Sequence, residues 1–505
     1  MSTRVYHSLS RPWLKYALGA TLVFLILVLS GREVANGNAK LMLALFGVGA
    51  FCVLAVVQRG ACVGVLVLLA MNGIPFLDNS KSVAHHIAIQ DIACLALIGV
   101  AFAWTIAGRR GASTPLGGVL SWCGLALLGW CVFIVVRTWA DGEAPLLGAL
   151  RFGRDFLYFG ALLVVLPRVR FRERDIDVLI VVLCAGVCLF AAGQIVTVEG
   201  YANPTWLVHV GATATTLGLT RLYAEMIDLV SAGVAFGIAA VTLTRGRFQS
   251  KVIPITLLLV VSLVLQLTRA RWIAMITSVV VVSLWFALQS KGRTAVIVRR
   301  RLAISVGVLA AAAVVLLTVG GGLISAGPLV QRVLSIFTDV GSSTSTLAVR
   351  QHVANEMASV LGGRWLSGLG LTPPSVHYYA QFPEGSIRDS DVGVLNAVMT
   401  IGVIGAALIY LPLIVTLLHC MRRTRARARV RLGWLNYGGQ IWIVGTVASS
   451  ITLVTLFSPS GLVLAAVILV VLSQASVTGA DPDPPPPRGP SQTEAPADLS
   501  PPLVV

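Results

Sequence analysis

The chain has 505 residues, of which 56% are hydrophobic and only 12% charged, and its formal net charge is +17. With a mean hydropathy of +0.87, it carries more apolar surface than a soluble core can hide, so a soluble globular protein is excluded. Basic loops beside membrane helices account for the positive charge through topology and anionic headgroups, so nucleic-acid binding is not expected.

Apolar runs of membrane-spanning length follow one another along the chain. They predict an all-α fold, a polytopic transmembrane helical bundle of about 12–14 helices with a large outer loop. The predicted spans lie near 14–30, 40–57, 61–77, 88–107, 117–137, 146–166, 176–196, 225–243, 252–267, 270–289, 302–323, 391–418, 434–455 and 459–473. All eight cysteines lie in or at the ends of apolar runs, so we expect neither disulfides nor a zinc site.

The distribution of basic residues predicts the orientation of these spans. Alternating the loops from a cytoplasmic start puts most Lys and Arg residues inside, including the arginine cluster at 422–431. The positive-inside rule therefore places both termini in the cytoplasm. Residues 1–478 form the predicted transmembrane domain, and the proline-rich segment 479–505 is predicted to be a disordered cytoplasmic tail.

Two predicted outer loops are longer than turns, at 197–224 and 324–390. In the second loop, Leu347 to Leu361 has helical spacing of apolar residues and is followed by Gly362 and Gly363, which predicts an amphipathic helix. Loops of this length in compact proteins are more often functional than idle.

A cluster of charges occurs in the first third of the span 146–166, in the stretch "LGALRFGRDFLYFG". Arg151, Arg154 and Asp155 are spaced to share one helix face. Charged groups at membrane depth are costly and usually functional. The alternative is a structural ion pair between Asp155 and Arg151 at the helix end.

The stretch "LTRARWIAM" places Arg269 and Arg271 between two spans. Two positions on a helix of 3.6 residues per turn point about 200° apart, so at most one of these arginines faces a shared site. The other can reach lipid headgroups, and simple anchoring of the helix end by both is the alternative.

The long outer loop holds further candidate polar groups. Arg350 leads the amphipathic helix and is either a site residue or an exposed cation. His377 is either a general base or an ordinary loop histidine near interfacial aromatic residues. Asp389 and Asp391 precede an apolar run, where a helix N-cap is the alternative to a catalytic role.

Several motifs that would indicate other chemistry are absent. The chain has no phosphate-binding loop of the Walker type, no G-x-G-x-x-G after a strand, no H-E-x-x-H and no cysteine–histidine metal spacing. An ATP-driven pump and an intramembrane metalloprotease are therefore disfavoured, and no metal or cofactor is expected.

Four segments in fixed order resemble the O-antigen ligase/polymerase family of bacterial envelope proteins. They are "TRARW", Arg350 in the following outer loop, "LSGLGL" from Leu366, and "VGVLNAVMTIGVIGAALIY" from Val392 to Tyr410. The resemblance implies a C-type membrane glycosyltransferase of the bacterial plasma membrane, with a polyprenyl-diphosphate-linked oligosaccharide donor and a glycan or lipid acceptor. It also implies diphosphate binding by Arg269 and Arg350, and by Arg151 and Arg154 of the earlier helix.

One departure from the family concerns the catalytic motif. Ligases carry His-Asn before the last of these helices, where this chain has Asp389 and Ser390 in "RDSDVG". The departure favours a polymerase, or a relative with another acceptor. An acceptor hydroxyl needs a base within hydrogen-bonding reach, and the candidates are Asp389, Asp391 and His377. Arginines can stabilise the departing lipid diphosphate.

A transporter or flippase of the same lipid-linked sugar is the main alternative. Such proteins have broken helices and often an internal repeat. The sequence indicates neither, although the glycine-rich run Val319 to Pro328 leaves the alternative open. A non-catalytic scaffold would leave the charges within the predicted spans unexplained.

Overall fold

A computed structural model of the chain describes residues 53–71, 82–84, 87–107, 114–198, 212–216, 219–223, 226–244, 247–266, 268–289, 346–371, 393–426 and 433–478. The predicted spans 14–30 and 302–323, most of 40–57, and the predicted tail 479–505 lie outside these residues. His377, Asp389 and Asp391 also lie outside them.

The described residues form helices and two short β-ladders. The helices are α1 (Arg59–Ala70), α2 (Ile89–Ile106), α3 (Pro115–Ala140), α4 (Leu146–Val165), α5 (Glu173–Val198), α6 (Ile227–Leu243), α7 (Arg247–Leu265), α8 (Arg269–Gln289), α9 (Thr346–Leu361), α10 (Gly393–Ala426), α11 (Gly433–Ser450) and α12 (Pro459–Thr478). The antiparallel ladders pair β1 (Ser82–Ala84) with β2 (Ile87–Ala88), and β3 (Ala212–Thr216) with β4 (Leu219–Tyr223). The predicted helical class is confirmed, with these ladders as an addition.

Several of the helices are suited to a bilayer. Those long and apolar enough to cross a membrane are Ile89–Ile106, Pro115–Ala140, Glu173–Ile195, Phe248–Leu265 and Gly393–Arg422, the last of which is interrupted at Gly402. Shorter apolar helices are Arg59–Ala70, Ile227–Leu243, Ala270–Phe286 and Pro459–Ala475. The chain is therefore a helical membrane protein by the length and composition of its helices.

Helix α12 lies at the centre of the bundle. Residues on all sides of it are buried, among them every residue from Ser460 to Val470. It packs against α1, α3, α4, α5, α6, α10 and α11. A helix that is apolar all round is stable only when other helices surround it. The outer helices expose large apolar groups such as Trp122 and Phe133 of α3, as expected where the surrounding medium is lipid.

Helix α9 begins and ends close to the predicted bounds. It spans Thr346–Leu361 and packs on α10 with Met357 and Leu361 buried. Gly362 follows it with φ of 50°. This left-handed conformation is typical of the glycine that stops a helix, so the amphipathic helix and its glycine stop are confirmed.

Helix α10 is broken, and the prediction of one regular span at 391–418 is wrong in this respect. Gly402 has φ of 73° and ψ of 175° inside it. The Tyr410 hydroxyl lies 2.7 Å from Ser450 Oγ, and a Cβ added at Gly393 would overlap the Ser450 carbonyl oxygen. A straight helix would separate Gly393 from Tyr410 by about 26 Å, so the two halves are not collinear.

The 362–371 turn, which follows α9, fills this break. The Leu369 N–H donates to the Met399 carbonyl (2.6 Å), and the Val403 N–H donates to the Trp365 carbonyl (2.9 Å). Backbone groups inside an apolar bundle must be hydrogen-bonded. The turn therefore replaces helical hydrogen bonds that the conformation of Gly402 removes.

We expect Gly402→Ala to destabilise the protein. A side chain at φ of 73° and ψ of 175° costs about 1–3 kcal/mol, and the added Cβ would also overlap the Leu366 carbonyl. Thermal unfolding in detergent measures the effect. Gly99→Ala is the control, because a Cβ at Gly99 meets nothing within 4 Å and Ala stabilises a helix by up to about 1 kcal/mol. Equal melting temperatures for the two variants would contradict the role of the break.

The predicted orientation is tested by introducing one additional cysteine at a time and labelling it from outside intact cells. We expect an impermeant thiol reagent to label Ser343→Cys in the predicted outer loop 324–390 and not Gly433→Cys beside the predicted inner cluster 422–431. Labelling of the unsubstituted protein measures the background from its eight native cysteines. The opposite labelling pattern would invert the topology.

Candidate functional site

A cavity of about 30 Å³ lies where α6, α8 and α12 begin and α11 ends. We call it the Arg271 cavity. Its lining comprises Asp228, Ser231, Arg271, Ala274, Met275, Trp442, Gly445, Thr446, Ser449, Leu456, Gly461 and Leu464. Space of this size holds one or two water molecules or hydroxyl groups.

A buried ion pair forms one wall of this cavity. The Arg271 side chain is only 6% exposed, and its Nη2 lies 3.0 Å from Asp228 Oδ1. Arg271 Nη1 donates to Ser231 Oγ (3.2 Å), while that hydroxyl donates to the Ile227 carbonyl (3.1 Å). Asp228 lies in the first turn of α6, where the helix dipole also stabilises a carboxylate. The pair thus keeps two charges inside an apolar bundle with their partners in place.

The structure describes the side chain of one of the two arginines of "TRARW". Helix α8 begins at Arg269, as predicted, while the side chain of Arg269 lies outside the described residues. Arg271 lines the cavity, and the sequence does not indicate which of the two arginines would face a shared site. Sequence analysis did not identify Asp228, the partner of Arg271. The available signal was a single carboxylate near the start of the predicted span 225–243.

The start of α10 packs against residues next to the lining of this cavity. A Cβ at Gly393 would overlap the carbonyl oxygens of Ser450 and Leu453, and the neighbouring residues Ser449 and Leu456 line the cavity. Asp389 and Asp391 immediately precede this helix in the sequence. The predicted acidic motif therefore precedes a helix that begins against Ser450 and Leu453.

A second polar cluster joins α2 and α4. Arg154 Nη1 donates to Asp91 Oδ2 at 2.8 Å, and Arg154 Nε lies 3.7 Å from Asp155 Oδ1. The Tyr158 hydroxyl donates to Asp91 Oδ1 at 3.4 Å. Asp155 therefore contacts Arg154, whereas the alternative suggested by the sequence paired it with Arg151. The side chain of Arg151 is exposed.

Sequence analysis also did not identify Asp91, the partner of Arg154. Asp91 Oδ2 accepts from the Ala88 N–H at 2.9 Å and so caps the start of α2. Its presence in the first turn of a predicted span was the available signal. Because Asp91 already neutralises Arg154, binding of a diphosphate by Arg154 would require it to share or exchange that partner.

The 362–371 turn also contacts the end of α3. Arg137 Nη2 donates to the Gly368 carbonyl (2.8 Å), and the Leu371 N–H donates to Thr138 Oγ1 (3.1 Å). Gly370 has φ of 115°, and a Cβ there would lie 2.6 Å from Thr138 Oγ1. The close approach therefore needs glycine at this position.

The same turn reaches α4. The side chain of Leu371 is buried, and a Cβ at Gly153 would lie 2.7 Å from its Cδ1. Arg364 Nη1 also lies 2.8 Å from Glu143 Oε1, just before α4. The "LSGLGL" segment, the helix of Arg151 and Arg154, and the break in α10 are thus in contact.

Two further predicted site residues are less fully defined. Arg350 lies in α9, and its side chain is outside the described residues. His377 follows the 362–371 turn in the sequence, beyond the described part of this segment. Convergence of Arg269, Arg350 and the acidic motif on one site stays a prediction.

Among the described residues, no group of three or more His, Cys, Asp or Glu side chains is arranged to hold a metal ion. No family model and no curated protein matches the chain. What the protein does is therefore inferred from its residues and their arrangement.

Proposed function

We propose that this protein is a membrane glycosyltransferase of the O-antigen ligase/polymerase type. It transfers or polymerises a polyprenyl-diphosphate-linked glycan onto an acceptor glycan or lipid at the outer face of the bacterial plasma membrane. The product belongs to cell-envelope polysaccharide. The proposal combines the motif resemblance with the arrangement of the segments that carry it.

One observation carries the proposal: the first turns of α8 line the Arg271 cavity, and the start of α10 packs against residues next to its lining. Arg271 of α8 lines it, and Gly393 of α10 packs on Ser450 and Leu453, next to two other lining residues. The two segments are far apart in the sequence, and each has a candidate site residue at or just before its first turn. Their proximity supports a common site for Arg269, Asp389 and Asp391.

The proposed reaction follows from the chemistry of a lipid diphosphate. The acceptor oxygen attacks the anomeric carbon while its proton passes to a carboxylate or imidazole, for which Asp389, Asp391 and His377 are the candidates. The bond from the anomeric carbon to the phosphate oxygen breaks, and its electron pair leaves with the lipid diphosphate. Arg269 and Arg350 stabilise the negative charge that develops there.

A transporter or flippase of the lipid-linked glycan is the second candidate, and the break at Gly402 favours it. Transporters use the free ends of broken helices to bind their cargo. Here, however, the Met399 carbonyl and the Val403 N–H are bonded to the 362–371 turn, and Trp130 Nε1 donates to the Ile401 carbonyl at 2.8 Å. Because these groups of the break are already bonded, we favour the transferase.

The deciding experiment uses purified protein in liposomes with a polyprenyl-diphosphate oligosaccharide. We expect release of polyprenyl diphosphate together with a longer or newly attached glycan. A parallel measurement follows movement of the intact lipid between leaflets. Movement without release would replace the transferase with the transporter, and neither activity would reject both.

A further inference from the structure

The Arg271 cavity combines groups that are unusual for the interior of a helix bundle. One carboxylate, one guanidinium and the hydroxyls of Ser231, Thr446 and Ser449 line it together with Trp442. Each charged group lies in the first turn of an apolar helix, and charged groups within the helices of membrane proteins often mark a substrate path. An ion pair by itself does not require a cavity beside it. The polar lining therefore indicates a ligand-binding site.

The charge balance of the lining indicates what kind of ligand fits. Asp228 lies 3.0 Å from Arg271 and offsets its charge, so the cavity offers no surplus cation to a phosphate. It offers hydrogen-bond donors and acceptors side by side, and a sugar hydroxyl can both donate and accept. A neutral ligand rich in hydroxyl groups is therefore a better match than an anion.

The position of the cavity further restricts the class of ligand that it could bind. It lies within the first two turns of the helix that Arg269 begins, and residues next to its lining contact the start of the helix that Asp389 and Asp391 precede. In the proposed reaction the donor sugar stands between the diphosphate and the base. A volume of about 30 Å³ admits the hydroxyl-bearing edge of such a sugar rather than its whole ring.

We infer that the Arg271 cavity is the subsite for the sugar unit attached to the donor's diphosphate, with the Asp228–Arg271 pair and the cavity hydroxyls bonding to its ring hydroxyls. The inference rests on the proposed function and adds the part of the site that recognises the glycan. It also separates the two arginines of "TRARW": Arg269 serves the diphosphate and Arg271 serves the sugar.

The test compares binding of two lipids that differ only in the glycan, polyprenyl-diphosphate oligosaccharide and sugar-free polyprenyl diphosphate, to protein in nanodiscs. For Asp228→Asn we expect the Kd of the glycosylated lipid to rise about ten- to a hundredfold, as for loss of a charged hydrogen bond. Thr446→Val should raise it about two- to tenfold. The Kd of the sugar-free lipid should stay unchanged in Thr446→Val and should not rise in Asp228→Asn, because that variant leaves the Arg271 charge without its carboxylate partner.

Thr416→Val is the matched control, because Thr416 is fully buried in α10 and is not part of the cavity lining. It should bind both lipids normally. Thermal unfolding shows whether Asp228→Asn remains folded. If it does not, Thr446→Val decides, since it leaves the ion pair intact.

Two outcomes would overturn the inference. If Asp228→Asn weakens the binding of both lipids equally, the ion pair only supports the diphosphate site structurally. If Thr446→Val binds the glycosylated lipid with unchanged Kd, the cavity does not recognise the glycan. Failure of the proposed function gives a different result. In that case the wild-type protein distinguishes the two lipids at this cavity but releases no polyprenyl diphosphate, or binds neither lipid.

Discussion

Asp389→Asn is expected to lower the rate of glycan transfer by about 10²–10⁴-fold, the usual contribution of a general base. The proposed resemblance aligns Asp389 with the histidine of the ligases, and Asp389 precedes a helix whose first residue packs against Ser450 and Leu453. The charged form of a carboxylate is the form that accepts a proton, and arginines of a shared site would favour that form. The measurement is single-turnover release of polyprenyl diphosphate by purified protein.

A helix cap would behave differently. Asparagine caps a helix as well as aspartate does, so a purely capping Asp389 or Asp391 would leave the rate of the Asn variant nearly normal. Asp391→Asn and His377→Ala are measured alongside. If both Asn variants keep normal rates while His377→Ala abolishes transfer, the base lies in the outer loop and the assignment to the start of α10 is wrong.

Arg269→Ala and Arg350→Ala should each reduce turnover by about ten- to a hundredfold, because a hydrogen bond to a charged group contributes roughly 1.5–3 kcal/mol. Both residues are expected to stabilise the leaving diphosphate. Arg269→Lys and Arg350→Lys should recover only part of the activity, since lysine keeps the charge but loses the planar fork that binds two phosphate oxygens. Turnover is compared at equal amounts of folded protein.

Arg422→Ala is the control for these variants. Arg422 is an exposed arginine of α10 in the cluster predicted to lie inside, so its removal should leave turnover unchanged. Near-normal activity of Arg269→Ala or Arg350→Ala would show that the arginine in question only anchors its helix. A lowered melting temperature with unchanged turnover per folded molecule would support the same conclusion.

The sequence by itself determined the class of the protein and most of its helices. Hydropathy along a span and a glycine after an amphipathic run are local properties, and they correctly indicated apolar helices such as α2 and α3 and the end of α9 before Gly362. The start of α8 at Arg269 followed from the same local pattern. These features depend on residues within a few turns of one another.

Only the tertiary structure decided which charges are paired and where a helix is interrupted. Arg154 meets Asp91 across 63 positions of sequence, and Arg271 meets Asp228 of another helix, so spacing along one helix could not identify either partner. The break at Gly402 is stable because a turn from a distant segment bonds the backbone groups that it leaves. Such arrangements depend on how helices pack, because a buried charge or an open backbone group is tolerated only where another element supplies its partner.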